Sequence, residues 1–464
     1  MNPSPASPAA VTALQAEFGP AEVIVSDIPP RYLQDWSALP GQMPLAVLRP
    51  RTTAELSRML AICNRHGQGV VPQGGLSGLV GGALPGAGDV VIALERMNRI
   101  EHIDTDSGTV TVEAGAILHN VQQACRDAGA LLALDLGARG SCQVGGNLAT
   151  NAGGNRVIRY GMARDLVLGA EVVLADGTVL NMMNRMVKNN AGLDLKHLFI
   201  GSEGLLGIIT RVVFKLHPLP QGISTAVVAL EDYAAALRFL RHAQRSLSGQ
   251  VSAFEIMWRD YLQTAVAAGH LRAPLEGDYP VYVLIDMHCG QPETDAERFQ
   301  AMLEQAIEAG WILDGAVAQS VAEAEAFWAI RDGVAEVLRD YAPTLNFDVS
   351  VPVAQIGDCA QRIRANLERD WPQLKALFFG HVADGNLHVV VCSVPQDPAS
   401  LEHIEDAVYS VVREHGGSIS AEHGIGLLKK PWLSHSRTEA EIALIRALKQ
   451  TLDPNGILNP GKMI

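Results

Sequence analysis

The sequence predicts an α+β protein of two or three domains. Three observations point there. At 464 residues the chain exceeds one ordinary domain of ~100–200 residues. Short apolar runs bounded by turn residues alternate with capped helical patterns. The composition also changes after His217-Pro218-Leu219-Pro220, which reads as a linker. The expected layout is a lead-in over residues 1–40, a first domain over 41–220, a second over 221–425 and a closing segment over 426–464.

Residues 1–20 are rich in Pro and Ala and read as a loose lead-in. A strand is expected around Leu45–Leu48. The capping-box pattern Thr52-Thr53-Ala54-Glu55 then opens a helix with Leu56, Leu60 and Cys63 on one face, stopped by Gly67. The strand Gly69–Val71 runs into a glycine cluster. Residues 168–179 read as a hairpin turning at Asp176-Gly177, and Ile208–Val213 as a β-branched strand. Beyond the linker, helical patterns at 232–246 and 293–309 alternate with a strand at 281–287. Ser320–Tyr341 reads as one helix opened by Ser320-x-x-Glu323. The end opens with Thr438-x-x-Glu441 and finishes in the turn-rich Asp453-Pro454-Asn455-Gly456.

Composition excludes several classes. Apolar residues make up 48% and charged residues 19%, so there is ample core material and no disorder signature. The formal charge of −14 disfavours nucleic acid and anionic membrane surfaces as partners. An anionic substrate would need local positive charge, from an Arg or a metal. No apolar run reaches the ~18–20 residues of a membrane span, and the N-terminus lacks a signal-peptide pattern. The six cysteines, at 63, 125, 142, 289, 359 and 392, contain no Cys-x-x-Cys pair and read as buried thiols of a reducing compartment, the cytoplasm.

Two glycine-rich loops carry the first chemical signal. Gln73-Gly74-Gly75-Leu76-Ser77-Gly78-Leu79-Val80-Gly81-Gly82 holds five glycines directly after a strand. Glycine lets backbone approach a ligand closely, and successive N–H groups can converge on a phosphate. A merely tight turn would use the same residues. A second loop, Gly140-Ser141-Cys142-Gln143-Val144-Gly145-Gly146-Asn147, continues to Thr150-Asn151-Ala152-Gly153-Gly154 and adds amide side chains. Two such loops suggest a large dinucleotide. Neither is Gly-x-Gly-x-x-Gly, which disfavours a Rossmann NAD site.

The second signal is the segment from Phe378 to Val391, read as strand, turn, strand. If Asp384-Gly385 is a two-residue hairpin loop, His381 lies opposite His388, and two imidazoles so placed can chelate one ion. Glu422, in Ser418-Ile419-Ser420-Ala421-Glu422-His423-Gly424-Ile425-Gly426, supplies a third ligand suited to Zn²⁺ or a similar divalent ion. Two histidines satisfied in an apolar core are the plainer alternative. His423, adjacent to Glu422, suits a general base, since a free imidazole titrates near pH ~6.5; a loop histidine capping a backbone group is its alternative. Arg331 falls on the apolar stripe of Phe327, Val334 and Leu338. It reads either as a snorkelling side chain or as a bidentate grip on a substrate carboxylate.

Taken together, these residues resemble a known family. Pro72-Gln73-Gly74-Gly75 with Gly81-Gly82, Asp135-Leu136-Gly137-Ala138-Arg139-Gly140-Ser141, Gly145-Gly146-Asn147 with Thr150-Asn151-Ala152-Gly153-Gly154, and Gly201-Ser202-Glu203-Gly204 are jointly specific. So are Gly380-His381 with Asp384-Gly385-Asn386-Leu387-His388, Glu422-His423-Gly424-Ile425-Gly426 and Asn459-Pro460-Gly461-Lys462. The pattern is similar to FAD-linked oxidases of the vanillyl-alcohol oxidase (PCMH) type, in the D-lactate and D-2-hydroxyglutarate dehydrogenase branch, over nearly the whole chain.

The resemblance implies a two-subdomain FAD-binding domain, an antiparallel-sheet α+β substrate domain and a C-terminal segment returning to the flavin. It implies non-covalent FAD at Gln73, Gly74, Gly75, Leu76, Ser77, Gly78, Ser141, Gly145, Asn147, Asn151, Gly153 and Gly154, with Glu203, Ile209 and Asn459. It implies a divalent metal, Zn²⁺ first, at His381, His388 and Glu422, with His423 as base and Arg331 on the substrate carboxylate. The expected activity is oxidation of a D-2-hydroxy acid to its 2-oxo acid. The expected acceptor is an electron-transfer flavoprotein or a quinone, and the expected assembly a homodimer. A metal-dependent hydrolase and a non-redox flavoprotein of the same fold are the competing readings.

Departures bear on the substrate. Ala335 stands where the D-2-hydroxyglutarate members carry Thr, Asn346 where they carry Lys, and Val390 where they carry Asn. Without that Lys, a second buried carboxylate would be poorly compensated. Leu76 stands where Asn is common, and no His lies in that loop to bond the flavin.

Overall fold

The computed structural model describes residues 8–464, and the chain divides into two compact units. The first runs to Gly153, resumes over Met162–Leu219 and ends with Glu422–Ile464; the second comprises Gly154–Gly161 and Pro220–Ala421.

In the first unit the lead-in is ordered over its described part, against expectation. Helix Pro8–Glu17 buries Ala10 and Leu14, which lie on one helical face four residues apart. Val23–Ile24 then pairs antiparallel with Val47 and Leu48. Those two residues belong to Ala46–Leu48, which continues the sheet in parallel to Val90–Ala93 and then Val70–Gln73. These short parallel strands are apolar on both faces, as doubly covered strands must be. Helix Thr53–Arg65 starts where Thr52 accepts the Glu55 N–H, and Gly67 beyond its end has φ +60°. A second, antiparallel sheet orders Ile100–Asp104, Thr109–Glu113, Ile208–Lys215, Val167–Val173 and Val179–Met182. Asp176-Gly177 turns the last hairpin inside a loop closed by the Leu174 N–H on the Thr178 carbonyl. The C-terminal tail returns to the first sheet, where Leu458 bridges Val70.

The second unit is a seven-stranded antiparallel sheet in the order Asp314–Val317, Gly222–Leu230, Val281–Cys289, Val251–Trp258, Lys375–Gly380, Asn386–Cys392, Thr344–Ser350. Alternation splits its residues between two covered faces. Phe254 meets Phe239 of helix Tyr233–Ser246, and Phe347 meets Tyr409 of helix Pro398–Glu414. On the opposite face Met257, Leu284, Leu377, Phe379 and Val390 pack with Tyr261 and Ala265 of helix Arg259–Ala268 and Ile330 and Val337 of the helices that follow.

Two further expectations need correction. The single helix over 320–341 is two, Val321–Arg331 and Val334–Asp340, interrupted at Asp332-Gly333, where glycine weakly supports a helix interior. The uninterrupted first domain over 41–220 yields residues 154–161 to the second unit. That segment is pinned by Arg156, 2.7 Å from the buried Asp286 carboxylate and stacked over Trp328, and by Arg159, which donates to the Gln250 and His288 carbonyls.

The two glycine loops of the first unit lie against each other. A Cβ on Gly75 would sit 2.1 Å from the Ser141 carbonyl oxygen and 2.7 Å from Cys142 Cα. One on Gly74 would meet only ordinary contacts at 3.6 Å. Gly75→Ala should therefore lower stability by about 1–3 kcal/mol or more through overpacking. Gly74→Ala should cost less than ~1 kcal/mol. Thermal unfolding of the pair checks the difference.

Candidate active site

Nearly all the expected cofactor residues converge in the first unit. Gly75 abuts Ser141, and Gly74 abuts Gly146 and Gln143. The Gly145 N–H donates to the Ala114 carbonyl at 2.7 Å, and a Cβ there would lie 2.7 Å from that of Ala114. Buried Asn147 lies on the short helix Val144–Ala149, to which Gly201 and Glu203 attach through their N–H groups on the Leu148 and Ala149 carbonyls. Asn151 accepts the Arg164 N–H, and Ile209 is buried in strand Ile208–Lys215. Ser77 is half-buried, Ser141 and Gly78 are exposed, and Gly154, just past Gly153, opens the segment assigned to the second unit. Leu76, Asn151, Glu203 and Asn459 all hold left-handed backbone, with φ of 58°, 50°, 51° and 44°. Such conformations cost energy in residues with a side chain and cluster at ligand sites.

Glu203 locks this region to the C-terminal segment. Its carboxylate accepts the Ile425 N–H at 2.7 Å and the Gly426 N–H at 2.8 Å, and its carbonyl accepts from Asn459 Nδ2 at 2.7 Å. Gly424 lacks the Cβ that would press 2.8 Å from the Glu203 carboxylate. Burial pushes the Glu203 carboxyl above the usual range, although the two N–H donors and nearby Lys429 pull it back. The loop so held carries Glu422 and His423.

In the second unit a polar cluster interrupts the apolar face. Glu255, 1% exposed, accepts Arg331 Nε at 2.8 Å on one oxygen and lies 2.7 Å from His381 Nδ1 on the other. Arg331 Nη2 lies 2.9 Å from His381 Nε2, and its guanidinium stands over the Phe379 ring. Burial opposes charge on Glu255, but His381 and Arg331 outweigh it and bring its pKa down to about 2. Arg331 is correspondingly raised, because Glu255 and Asp332 overcome its own burial. The buried Asp348 carboxylate accepts Asn386 Nδ2 at 2.8 Å and the Ala421 N–H at 3.1 Å, and faces His388 Nδ1 at 3.7 Å. Ala421 ends this unit and Glu422 follows by one peptide bond. One ligand atom each from His381, His388 and Glu422 lies within 4.8 Å of the others.

Three readings from sequence change here. His388 pairs with Phe379, not His381, because the turn spans residues 381–385: the Asp384 and Asn386 N–H groups both fold back to the His381 carbonyl. The imidazoles are thus diagonal neighbours with ring centroids 5.3 Å apart. Arg331 does not snorkel; it is 7% exposed and paired. Asn346 and Val390 are direct cross-strand partners, but Val390 is buried in the apolar cluster while Asn346 is exposed. Sequence reasoning missed Glu255 and the anchoring role of Asp348. A lone acid inside the apolar strand Val251–Trp258 was the available signal for the first.

Residues 44–183 match the FAD binding domain family, and residues 219–463 match the FAD linked oxidases, C-terminal domain. The chain belongs to the FAD linked oxidases. This FAD linked oxidase is 39% identical over 421 residues to the mitochondrial D-2-hydroxyglutarate dehydrogenase of Arabidopsis thaliana, covering 90% of this chain and 74% of that one. It is 37% identical over 459 residues to the D-2-hydroxyglutarate dehydrogenase of Xanthomonas citri pv. viticola, covering 98% and 95%. Its fold is that of p-cresol methylhydroxylase with substrate bound, at a TM-score of 0.80 and 17% identity over 98% of this chain and 96% of that one. Family and fold make it an FAD-dependent dehydrogenase of α+β, PCMH-type architecture. Its residues fit the cofactor: Gln73 Oε1, Gln143 Oε1 and Asn459 Oδ1 are buried around the glycine loops with no protein hydrogen-bond partner.

Glu203→Ala would strip the Ile425 and Gly426 N–H groups of their acceptor, a loss of about 1–3 kcal/mol. Hydrogen exchange at those two amides should speed up roughly tenfold or more relative to the parent protein.

Proposed function

We propose that this dehydrogenase oxidises a D-2-hydroxy acid to its 2-oxo acid, with a divalent ion, Zn²⁺ first, held by His381, His388 and Glu422. One observation carries the reading: this ligand set lies beside the buried Arg331 guanidinium, 2.9 Å from His381. A 2-hydroxy acid presents a hydroxyl and a carboxylate on adjacent carbons, and the ligand set and the guanidinium match those two groups. The names of the relatives agree with the substrate class.

When bound, FAD supplies the hydride acceptor and the divalent ion a Lewis acid for the hydroxyl oxygen. The residues of the chain bind, orient and move the proton. Arg331 grips the carboxylate through its guanidinium N–H groups. His423, in the loop held by Glu203, takes the hydroxyl proton on an imidazole nitrogen. The apolar wall of Phe379, Val390 and Met257 around the cluster keeps it dry, which strengthens each charge contact.

For the side chain of the substrate, Ala335, Asn346 and Val390 offer no positive charge. A second carboxylate there would lack a cation to pair with, so the reading favours lactate-like or apolar D-2-hydroxy acids. D-2-hydroxyglutarate is the second reading, favoured by the names of the relatives. Electrons then pass to an electron-transfer flavoprotein or a quinone. Six buried, free cysteines suit a reducing, cytoplasmic setting. Among the described residues no helix is long and apolar enough to cross a membrane.

The assignment of the base is tested by His423→Ala. Anaerobic rapid mixing with substrate should show flavin reduction slowed by about 10²–10⁴-fold, with flavin content unchanged. Reduction at the parent rate would remove His423 from the mechanism.

A further inference from the structure

We infer that Glu255 is a positioning residue that aligns the metal-facing imidazole of His381 and the substrate-gripping guanidinium of Arg331 at the same time. The inference rests on the reading just given and adds a residue that neither the motifs nor the ligand set includes.

The geometry is that of a two-sided clamp. Glu255 Oε1 lies 2.7 Å from His381 Nδ1, and Glu255 Oε2 lies 2.8 Å from Arg331 Nε. An ionised carboxylate only accepts hydrogen bonds, so Nδ1 of His381 must carry a proton. For a neutral ring this leaves Nε2 as the lone-pair atom, the form that can ligate a cation. On the other side, holding Nε of Arg331 fixes the guanidinium plane, with Nη2 2.9 Å from His381 Nε2 and Nη1 3.3 Å from an Asp332 carboxylate oxygen. The Tyr261 hydroxyl, on the Arg331 carbonyl at 2.7 Å, fixes the end of the helix that carries it. One carboxylate thereby sets the tautomer of one binding group and the plane of another.

Stability alone does not account for the arrangement. The side chains of Glu255, Arg331 and His381 are 1%, 8% and 7% exposed, among Met257, Tyr261 and Phe379. A buried charge cluster is commonly no more stable than apolar residues of the same volume. The same face holds two other buried acids, Asp286 paired with Arg156 and Asp348 accepting from Asn386, but Glu255 is the acid that bridges a proposed ligand imidazole and the Arg331 guanidinium, a requirement other than packing. Carboxylates behind ligand imidazoles serve that requirement generally, by fixing ring orientation and raising ligand basicity.

The test compares the full-length, flavin-loaded protein with Glu255→Gln and Glu255→Asp. The Zn²⁺ dissociation constant is measured by competition with a chromophoric chelator, alongside KM, kcat, flavin content and thermal unfolding. Gln keeps the shape but presents an NH2 to one of the two donors, and an amide donating to Nδ1 selects the tautomer that cannot ligate. Glu255→Gln should bind Zn²⁺ about 10–100-fold more weakly. It should also raise KM while keeping its flavin, and Asp, which keeps the charge, should recover part of both losses. A Gln variant with parent Zn²⁺ affinity and parent KM overturns the inference and leaves the proposed function standing. So does an Asp variant no better than Gln when both lose flavin and stability in parallel, which is the pattern of a purely structural role. Should the Gln chain not fold, the Asp variant decides: a several-fold loss of Zn²⁺ affinity supports the clamp, and parent values overturn it. A parent protein that binds no Zn²⁺ overturns both this inference and the metal in the proposed function.

Discussion

A carboxylate held at 1% exposure in the middle of a seven-stranded sheet stays ionised only if both oxygens are engaged, and Glu255 meets that condition through His381 and Arg331. Moving a charge out of water is opposed by several kcal/mol, so the three side chains stand or fall together. The turn that carries His381 and the helix that ends at Arg331 are thereby tied to one strand. The junction of those three elements is bordered by the apolar cluster of Met257, Tyr261, Ile330 and Phe379.

The first unit repeats the device with a different donor set. Glu203 is also a buried acid, but its partners are backbone N–H groups of Ile425 and Gly426 rather than charged side chains. Neutral donors offset less of the desolvation, which is why burial moves the Glu203 carboxyl up while Glu255 goes down. Its carbonyl, through Asn459, draws the tail onto the same point. The loop bearing Glu422 and His423 is thus placed by contacts more than two hundred residues away in sequence.

What was legible in the sequence follows from how local each determinant is. The glycine loops announce themselves because the demand for close backbone approach is met by residue type alone, as Gly75 against Ser141 illustrates. Capped helices such as Thr53–Arg65 were legible for the same reason. The register of the histidine hairpin was not, because turn length depends on how the N–H groups of residues 384–386 are satisfied. The sequence reading put His388 opposite His381 where the sheet puts it opposite Phe379, a slip of two residues, and a slip of two keeps every side chain on its face. That is why His381, His388 and Glu422 still come within reach of one another despite the wrong register. The placement of segment 154–161 needed Asp286, which lies 130 residues from Arg156 and is invisible to local pattern. Glu255 was visible only as an oddity, an acid in an apolar strand, and its two partners emerge only in the folded sheet.

The central claim is that the cluster around Arg331 receives a D-2-hydroxy acid whose electrons go to the bound flavin. The most direct measurement is anaerobic mixing of the purified protein with D-lactate, longer apolar D-2-hydroxy acids, D-2-hydroxyglutarate and their L-enantiomers, following loss of the flavin absorbance. The account predicts rapid bleaching by D-enantiomers, fastest for those without a second carboxylate, and none by the L-forms. Fastest bleaching by D-2-hydroxyglutarate would contradict the reading of Ala335, Asn346 and Val390, and no bleaching by any member of the panel would contradict the claim itself.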